Sequence, residues 1–250
     1  MKRNILFFLI TVLLFSCKKD SEPETKQVLI QPLGVGYYWE FVDSTFSNIG
    51  DLTNVDTSRL SITGITSVTY KGESIDLYDW SWNTAPNFMW LCNYDATGFY
   101  MYGGKTDNGT YIYEKSLNIK YPVKINEVWD HINYSHGQIG DSSFFYIYNT
   151  VYYTCLAVNE PFKTKFGSFD CYKYNYNYLT NGHPDQTYLY YAPNIGYVGM
   201  IEQENGITIY KKTLISYNIT DSNLSSNKRT DFMNGKTKSN IERIEYGPYR

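Results

Sequence analysis

Four tyrosines at alternate positions, Tyr172, Tyr174, Tyr176 and Tyr178, are interleaved with Lys173, Asn175 and Asn177. Residues two apart on a strand share a face, so this spacing aligns four phenol rings, each with an apolar face and a hydroxyl. Pairing the run with residues 148–158 around a turn near Lys163 predicts that Tyr174 faces Tyr152 and that Tyr178 faces Tyr148. The resulting ladder has two readings. As structure, each aromatic cross-strand pair contributes a few tenths to about 1 kcal/mol. As a site, Tyr148, Tyr152, Tyr172, Tyr174, Tyr176 and Tyr178 would floor a groove for an acyl chain, a sugar ring or a peptide. On that second reading, Tyr174→Ser with Tyr176→Ser weakens binding more than it lowers the melting temperature. The same register sets Cys155 opposite Cys171. A disulfide could join them if their ladder position has the right spacing, leaving Cys92 as a free, buried thiol.

Trp80, Trp82 and Trp90 form a second aromatic group, with Tyr78, Phe88, Met89, Asp76 and Asp79 around them. Trp80 and Trp82 would share a strand face, able to stack on a pyranose or to rest at a membrane interface; packing near a long loop is the plainer reading. Asp76 and Asp79 are three apart, which on a strand turns them to opposite faces, so paired-carboxylate glycoside chemistry lacks its local geometry. His131 and His136, near Asp130 and Asp141, have no helix to align them, so their spacing specifies no metal site. No Gly-x-Ser-x-Gly elbow, Walker loop or GxGxxG follows a strand pattern, and no Cys-x-x-Cys occurs. Nucleophile-elbow hydrolases, nucleotide binders and zinc knuckles are disfavoured accordingly. None of the cysteines has a neighbouring histidine or helix start that would lower its pKa.

The elements that carry these residues read as strands. From about Pro32 to Tyr217 the pattern has period two, rich in Tyr, Ile, Val, Thr and Trp. The clearest runs are 59–63, 66–70, 98–102, 110–114, 144–158, 169–178, 187–191 and 207–216. Asp107-Asn108-Gly109, Asn181-Gly182 and Glu204-Asn205-Gly206 mark hairpins, because Asn and Gly tolerate the positive φ of tight turns. No long amphipathic helix is evident. This spacing predicts a mainly β fold, a curved antiparallel sheet, with a β-sandwich as the alternative. The chain has 250 residues, 27 of them tyrosine, and a net charge of −3, which leaves room for a large core but offers no basic surface for nucleic acid.

The N-terminus gives an address. Lys2 and Arg3 precede an apolar run from Ile5 to Phe15, the length of a signal-peptide core and too short to span a bilayer comfortably. Leu14-Phe15-Ser16-Cys17 follows and resembles the bacterial lipobox, in which the cysteine is acylated and becomes the mature N-terminus; Phe15 is its one departure from the common pattern. Residues 1–16 are therefore expected to be a signal peptide and Cys17 the lipidation site. Residues 17–31 are a charged tether, 32–217 a single β-rich domain and 218–250 a polar, loosely ordered tail. Several acyl chains on one cysteine hold a protein on a membrane without crossing it.

At the level of short motifs the chain resembles a family of Bacteroidota lipoproteins related to domains with the half-barrel fold of the periplasmic lipoprotein carrier LolA. The matching segments are Pro32 to Phe41 (PLGVGYYWEF), Lys120 to Trp129 (KYPVKINEVW), Phe166 to Lys173 (FGSFDCYK) and Tyr190 to Met200 (YYAPNIGYVGM). Asn126 stands where the pattern has glycine. The resemblance implies a LolA-like half-barrel and brings no catalytic residue with it.

Together these observations lead us to expect a non-enzymatic lipoprotein, anchored in the outer membrane by its N-terminal lipid, on the periplasmic or the surface face. It would bind a hydrophobic or amphipathic ligand, or an envelope protein, with no cofactor and no metal. A surface glycan-binding module using Trp80, Trp82 and Trp90 is the first alternative. An envelope hydrolase using Asp76, Asp79 or Asp95 is the second.

Overall fold

The computed structural model describes residues 28–219, apart from 86, 140–141 and 178–184. The signal peptide, Cys17, most of the tether, the polar tail beyond residue 219 and Tyr178 lie outside the described residues.

The described residues form strands and turns. In chain order the strands are β1 (Tyr38–Phe46), β2 (Leu52–Tyr70), β3 (Glu73–Trp82), β4 (Phe88–Asp95), β5 (Gly98–Thr106), β6 (Gly109–Lys120), β7 (Val128–Ile139), β8 (Ser142–Thr164), β9 (Gly167–Asn177), β10 (Gln186–Ala192), β11 (Gly196–Glu204) and β12 (Ile207–Asn218). All belong to one sheet, ordered β6-β5-β4-β3-β2-β1-β12-β11-β10-β9-β8-β7. Two antiparallel meanders are thus joined where the first strand pairs with the last, Phe41 opposite Leu214 and Asp43 opposite Lys212. The expected curved antiparallel sheet is what forms, and it bends round into a nearly closed barrel. The β-sandwich alternative is not adopted. The hairpin expected at Asn205-Gly206 is present, with φ of 51° and 78°, values that suit Asn and Gly. So is the one before Gly109, whereas Asn181-Gly182 falls outside the described residues. The clearest runs of the sequence pattern leave out β1, β3, β4, β7 and β11; of these, β3 carries Trp80 and Trp82, which alternation had placed on one strand face.

The two edge strands, β6 and β7, follow one another in sequence and face each other across the opening, and side chains do there what a ladder does elsewhere. Trp129 Nε1 donates to the Asn118 carbonyl (3.2 Å), the Ile132 N–H donates to Ser116 Oγ (2.6 Å), Tyr134 OH donates to the Glu114 carbonyl, and Tyr153 OH donates to Asn118 Oδ1 (2.9 Å). Exposed strand edges invite pairing with other chains, and this seam masks both.

The interior is packed with rings. Trp39, Phe41, Leu60, Ile62, Phe99, Ile119, Val151, Tyr174 and Leu214 are fully buried. One end is plugged by the segment leading into β1, where Ile30, Gln31 and Leu33 are buried. Gln31 Oε1 accepts the Tyr197 N–H (3.0 Å) and lies 2.7 Å from where a Cβ on Gly196 would stand. Only glycine fits there, and its φ of +96° is a second reason. The packed unit therefore begins before residue 32, inside the stretch read as tether.

Candidate functional site

The tyrosine row divides between core and surface. Cys155, not Tyr152, stands opposite Tyr174, and Tyr153 stands opposite Tyr176. The β8–β9 turn falls between Thr164 and Gly167 instead of near Lys163, and register shifts between Cys155 and Glu160 take back part of that difference. The net slip is odd, and an odd slip exchanges the faces of a strand. Tyr172, Tyr174 and Tyr176 consequently point with Tyr153 into the barrel, whereas Tyr148 and Tyr152 are 47% and 41% exposed.

The inward tyrosines are part of a continuous aromatic core. Tyr174 lies 6.2 Å from Tyr172, 5.6 Å from Trp129 and 6.0 Å from Tyr191, measured between ring centroids. From Trp129 the chain of rings continues through Tyr153 (5.4 Å) to Tyr176 (4.9 Å). From Tyr191 it runs through Tyr197 (5.3 Å) and Phe41 (5.3 Å) to Trp82 (5.7 Å). Tyr174 OH donates to the Lys120 carbonyl (3.1 Å), and burial raises its pKa well above the usual value. The centre of the proposed groove is filled.

The same register removes the expected disulfide. Cys155 opposes Tyr174 and Cys171 opposes Glu160, so the two thiols are not cross-strand partners; both are free and buried, as is Cys92. Burial raises the pKa of all three, that of Cys171 to about 12, which leaves them as unreactive packing groups.

The tryptophans separate as well. Trp80 and Trp82 share a face as expected, but that face looks inward. Trp80 is 5% exposed, its ring 4.6 Å from Phe99, and Trp82 lies beneath the Lys212 ammonium at 4.6 Å. Trp90 stands opposite Trp80 in the β3–β4 ladder and is half-buried. An exposed platform of all three is not formed. The three aspartates keep different company. Asp76 accepts Ser67 Oγ (2.5 Å), Asp79 accepts Thr66 Oγ1 (2.7 Å), and Asp95 accepts Lys115 Nζ (2.6 Å) and Thr97 Oγ1 (2.6 Å). Partial burial would raise the Asp95 pKa, but the Lys115 and Thr97 hydrogen bonds outweigh it and hold the carboxyl below its ordinary value.

What the structure does bring together is a cavity of about 200 Å³ lined by Trp90, Met101, Asn118, His131, Asn133, Tyr134, Tyr153 and Tyr176. It lies at the β6–β7 opening, between β4–β5 on one side and β7–β9 on the other. Trp90 and Tyr176 come from the two groups singled out in sequence. The amides and Met101 were missed because each is a single residue in a strand far along the chain from the rest, and His131 had been weighed only as a metal ligand. Ser116 Oγ is 2.9 Å from His131 Nδ1 and also accepts the Ile132 N–H (2.6 Å). Burial pushes the His131 pKa down to about 3, against a smaller upward pull from a hydrogen bond to the Leu117 backbone. The ring is therefore neutral at physiological pH. Among the described residues no three His, Cys, Asp or Glu side chains gather as a metal site.

This histidine makes stability depend on pH. Below about pH 6.5 the unfolded chain protonates it, while the folded chain resists until about pH 3. Stability contributed by neutral His131 is thus lost as pH falls through that window, at up to about 1.4 kcal/mol per pH unit. Denaturant unfolding of the natural chain and of His131→Gln should show a shallower acid decline in the variant, and equal slopes would remove His131 as the cause.

A second polar group is buried near the β1–β12 pair. Lys212 Nζ is 2.6 Å from Asp43 Oδ1 and donates to Ser58 Oγ (2.6 Å), while Tyr210 OH donates to Asp43 Oδ1 (2.7 Å). Glu202 stands opposite Tyr210, and burial raises its pKa against the pull of Lys212.

No family model matches the chain, and no curated protein matches it. Two solved structures are similar to it. One, from Bacteroides fragilis, is described as an exported protein with a YmcC-like fold; it is 16% identical, with a TM-score of 0.41, over 77% of this chain and 100% of the other. The second, from Parabacteroides distasonis, is described as a lipoprotein; it is 14% identical, with a TM-score of 0.33, over 77% of this chain and 100% of the other.

Proposed function

We propose that this chain is a non-enzymatic lipoprotein of the outer membrane, held by lipid on Cys17, whose barrel presents a small binding cleft at the β6–β7 opening. The reading differs from the sequence expectation in where the ligand sits. The observation that carries it is the cavity itself, where rings, a thioether and amides from both sides of the barrel converge on space that the core leaves unfilled. Sites for small ligands likewise set placed polar groups among apolar walls, and here the two share the lining about equally. At about 200 Å³ the cleft is smaller than ordinary small-molecule pockets, which suits a ring or the end of a chain. The Ser116–His131 contact supports a structural role, because the hydroxyl is buried and bridges the seam through the Ile132 N–H.

Native mass spectrometry of the form starting at Lys18, purified from a cell envelope, tests the proposal. The expected result is a co-purifying compound of defined mass that disappears in Trp90→Ala with Tyr176→Ser and persists in Tyr148→Ser with Tyr152→Ser. A compound retained by the first pair and lost from the second would move the function to the outer face of β8. That second reading, docking of an envelope protein, is favoured by the exposure of Tyr146, Ile147, Tyr148, Tyr152 and Leu156 along that strand.

A further inference from the structure

The geometry points to a neutral sugar ring, the terminal unit of a glycan, as the occupant of the cleft between Trp90 and Tyr176. This rests on the binding cleft proposed above and names its ligand class. Three observations converge on it. Size comes first: at about 200 Å³ the cleft has room for a single small unit, such as one six-membered ring with its hydroxyls. The walls come second. Trp90, Tyr134, Tyr153 and Tyr176 line it; Tyr134 and Tyr153 each have one face stacked on a neighbouring ring, Tyr113 and Trp129, and the negative quadrupole of an uncovered aromatic face attracts the weakly positive C–H groups of a pyranose face.

The third is the character of the polar groups. Asn118 and Asn133 line the cleft, and each amide presents both a donor and an acceptor, which is what ring hydroxyls require. Asn149 stands opposite Asn133 in the β7–β8 ladder, and its amide nitrogen and oxygen are both buried without a hydrogen-bond partner. Orphaned amides in a native fold call for a missing partner, and a hydroxyl or the water it carries would supply one. Among the described residues no carboxylate, ammonium or guanidinium lines the cleft, and His131 is neutral there. A charged ligand would lose its hydration with no counter-charge to meet, and an acyl chain would leave the amides unsatisfied. The relevant tryptophan is therefore Trp90, joined by residues of β6 to β9, with Trp80 and Trp82 committed to the core.

The mature chain, held in lipid nanodiscs by its own anchor, is titrated with the methyl glycosides of glucose, galactose, mannose and N-acetylglucosamine under saturation-transfer NMR. Methyl glucuronoside and octanoate serve as charged and acyl controls. A single sugar of this size should bind with a dissociation constant on the order of 1 mM. At least one neutral glycoside is expected to saturate the protein, with about tenfold weaker binding in Trp90→Ala and in Asn133→Ala, two variants made separately and checked for an unchanged melting temperature. Binding of neutral glycosides that both variants leave intact overturns the site. Silence from every glycoside while octanoate or an envelope compound occupies the cleft overturns the sugar assignment and leaves the cleft standing. Silence from all probes together with an empty native mass spectrum overturns both.

Discussion

Tyr174→Ser is expected to cost about 3–5 kcal/mol of folding stability, the range for truncating a large buried ring. The side chain is wholly buried among Trp129, Tyr172 and Tyr191, and serine would leave a void that the rigid strands of a barrel close only in part. Its hydroxyl also satisfies the Lys120 carbonyl beside the β6–β7 connection. Tyr174→Phe should therefore lose about 1 kcal/mol, the net worth of that hydrogen bond. Tyr148→Ser and Tyr152→Ser, on the exposed face, should stay within about 0.5 kcal/mol of the natural chain. Urea denaturation midpoints of the four variants check the whole set. A Tyr174→Ser variant as stable as Tyr148→Ser would return Tyr174 to the role of an open binding surface. On the binding-site reading of the sequence the two effects stood in the opposite order, with loss of binding outrunning loss of stability.

Asp43→Ala should be comparably damaging, at about 3–5 kcal/mol, because it strands the Lys212 ammonium in the interior with its partner gone. Lys212 lies over the rings of Trp82 and Phe41, at 4.6 and 5.2 Å, and is only 9% exposed at its side chain. Desolvation already lowers its pKa against the pull of Asp43. Removing Asp43 lowers it further. The unfolded chain then holds its Lys212 proton to higher pH than the folded chain does, so the stability of Asp43→Ala should rise as pH climbs towards the free-lysine value and its deficit should shrink. Replacing the pair together, Asp43→Leu with Lys212→Met, should recover most of the loss, since isosteric apolar residues often match a buried ion pair. Chemical denaturation at pH 7 and pH 9.5 separates these cases. A single Asp43→Ala variant with a pH-independent deficit, or a double variant no better than the single one, would show that the ion pair is not what holds β1 to β12 here.

The seam explains why the cleft lies where it does. Where two strands share a backbone ladder, their side chains are set by the pleat, and little room is left between them. Between β6 and β7 the bonds run through Ser116, Asn118, Trp129 and Tyr134 instead, and the gap they leave is bounded by amides and rings. Sequence reading had no access to this arrangement, because Asn118, Asn133 and Asn149 each look like an ordinary polar position on a strand. Trp90 and Tyr176 were recognised for the wrong companions, Trp80 with Trp82 and Tyr148 with Tyr152.

The sequence by itself determined what is local. Period-two alternation dictated strands, Asn-Gly and Gly-containing turns dictated where the chain reverses, and Leu14 to Cys17 dictated a lipobox-like start, each from conformational or chemical preferences of a few adjacent residues. The tertiary structure alone decided which face of each strand is inside. Alternation says that Tyr172, Tyr174 and Tyr176 lie together, but not whether they meet water or the core. That depends on the β8–β9 turn and on register shifts near Cys155, where an odd displacement exchanges every inward and outward side chain. The same displacement moved Cys155 away from Cys171. Closure of the sheet then brought β4 and β5 against β7 to β9, and that long-range contact made a cleft from residues that no stretch of sequence holds together.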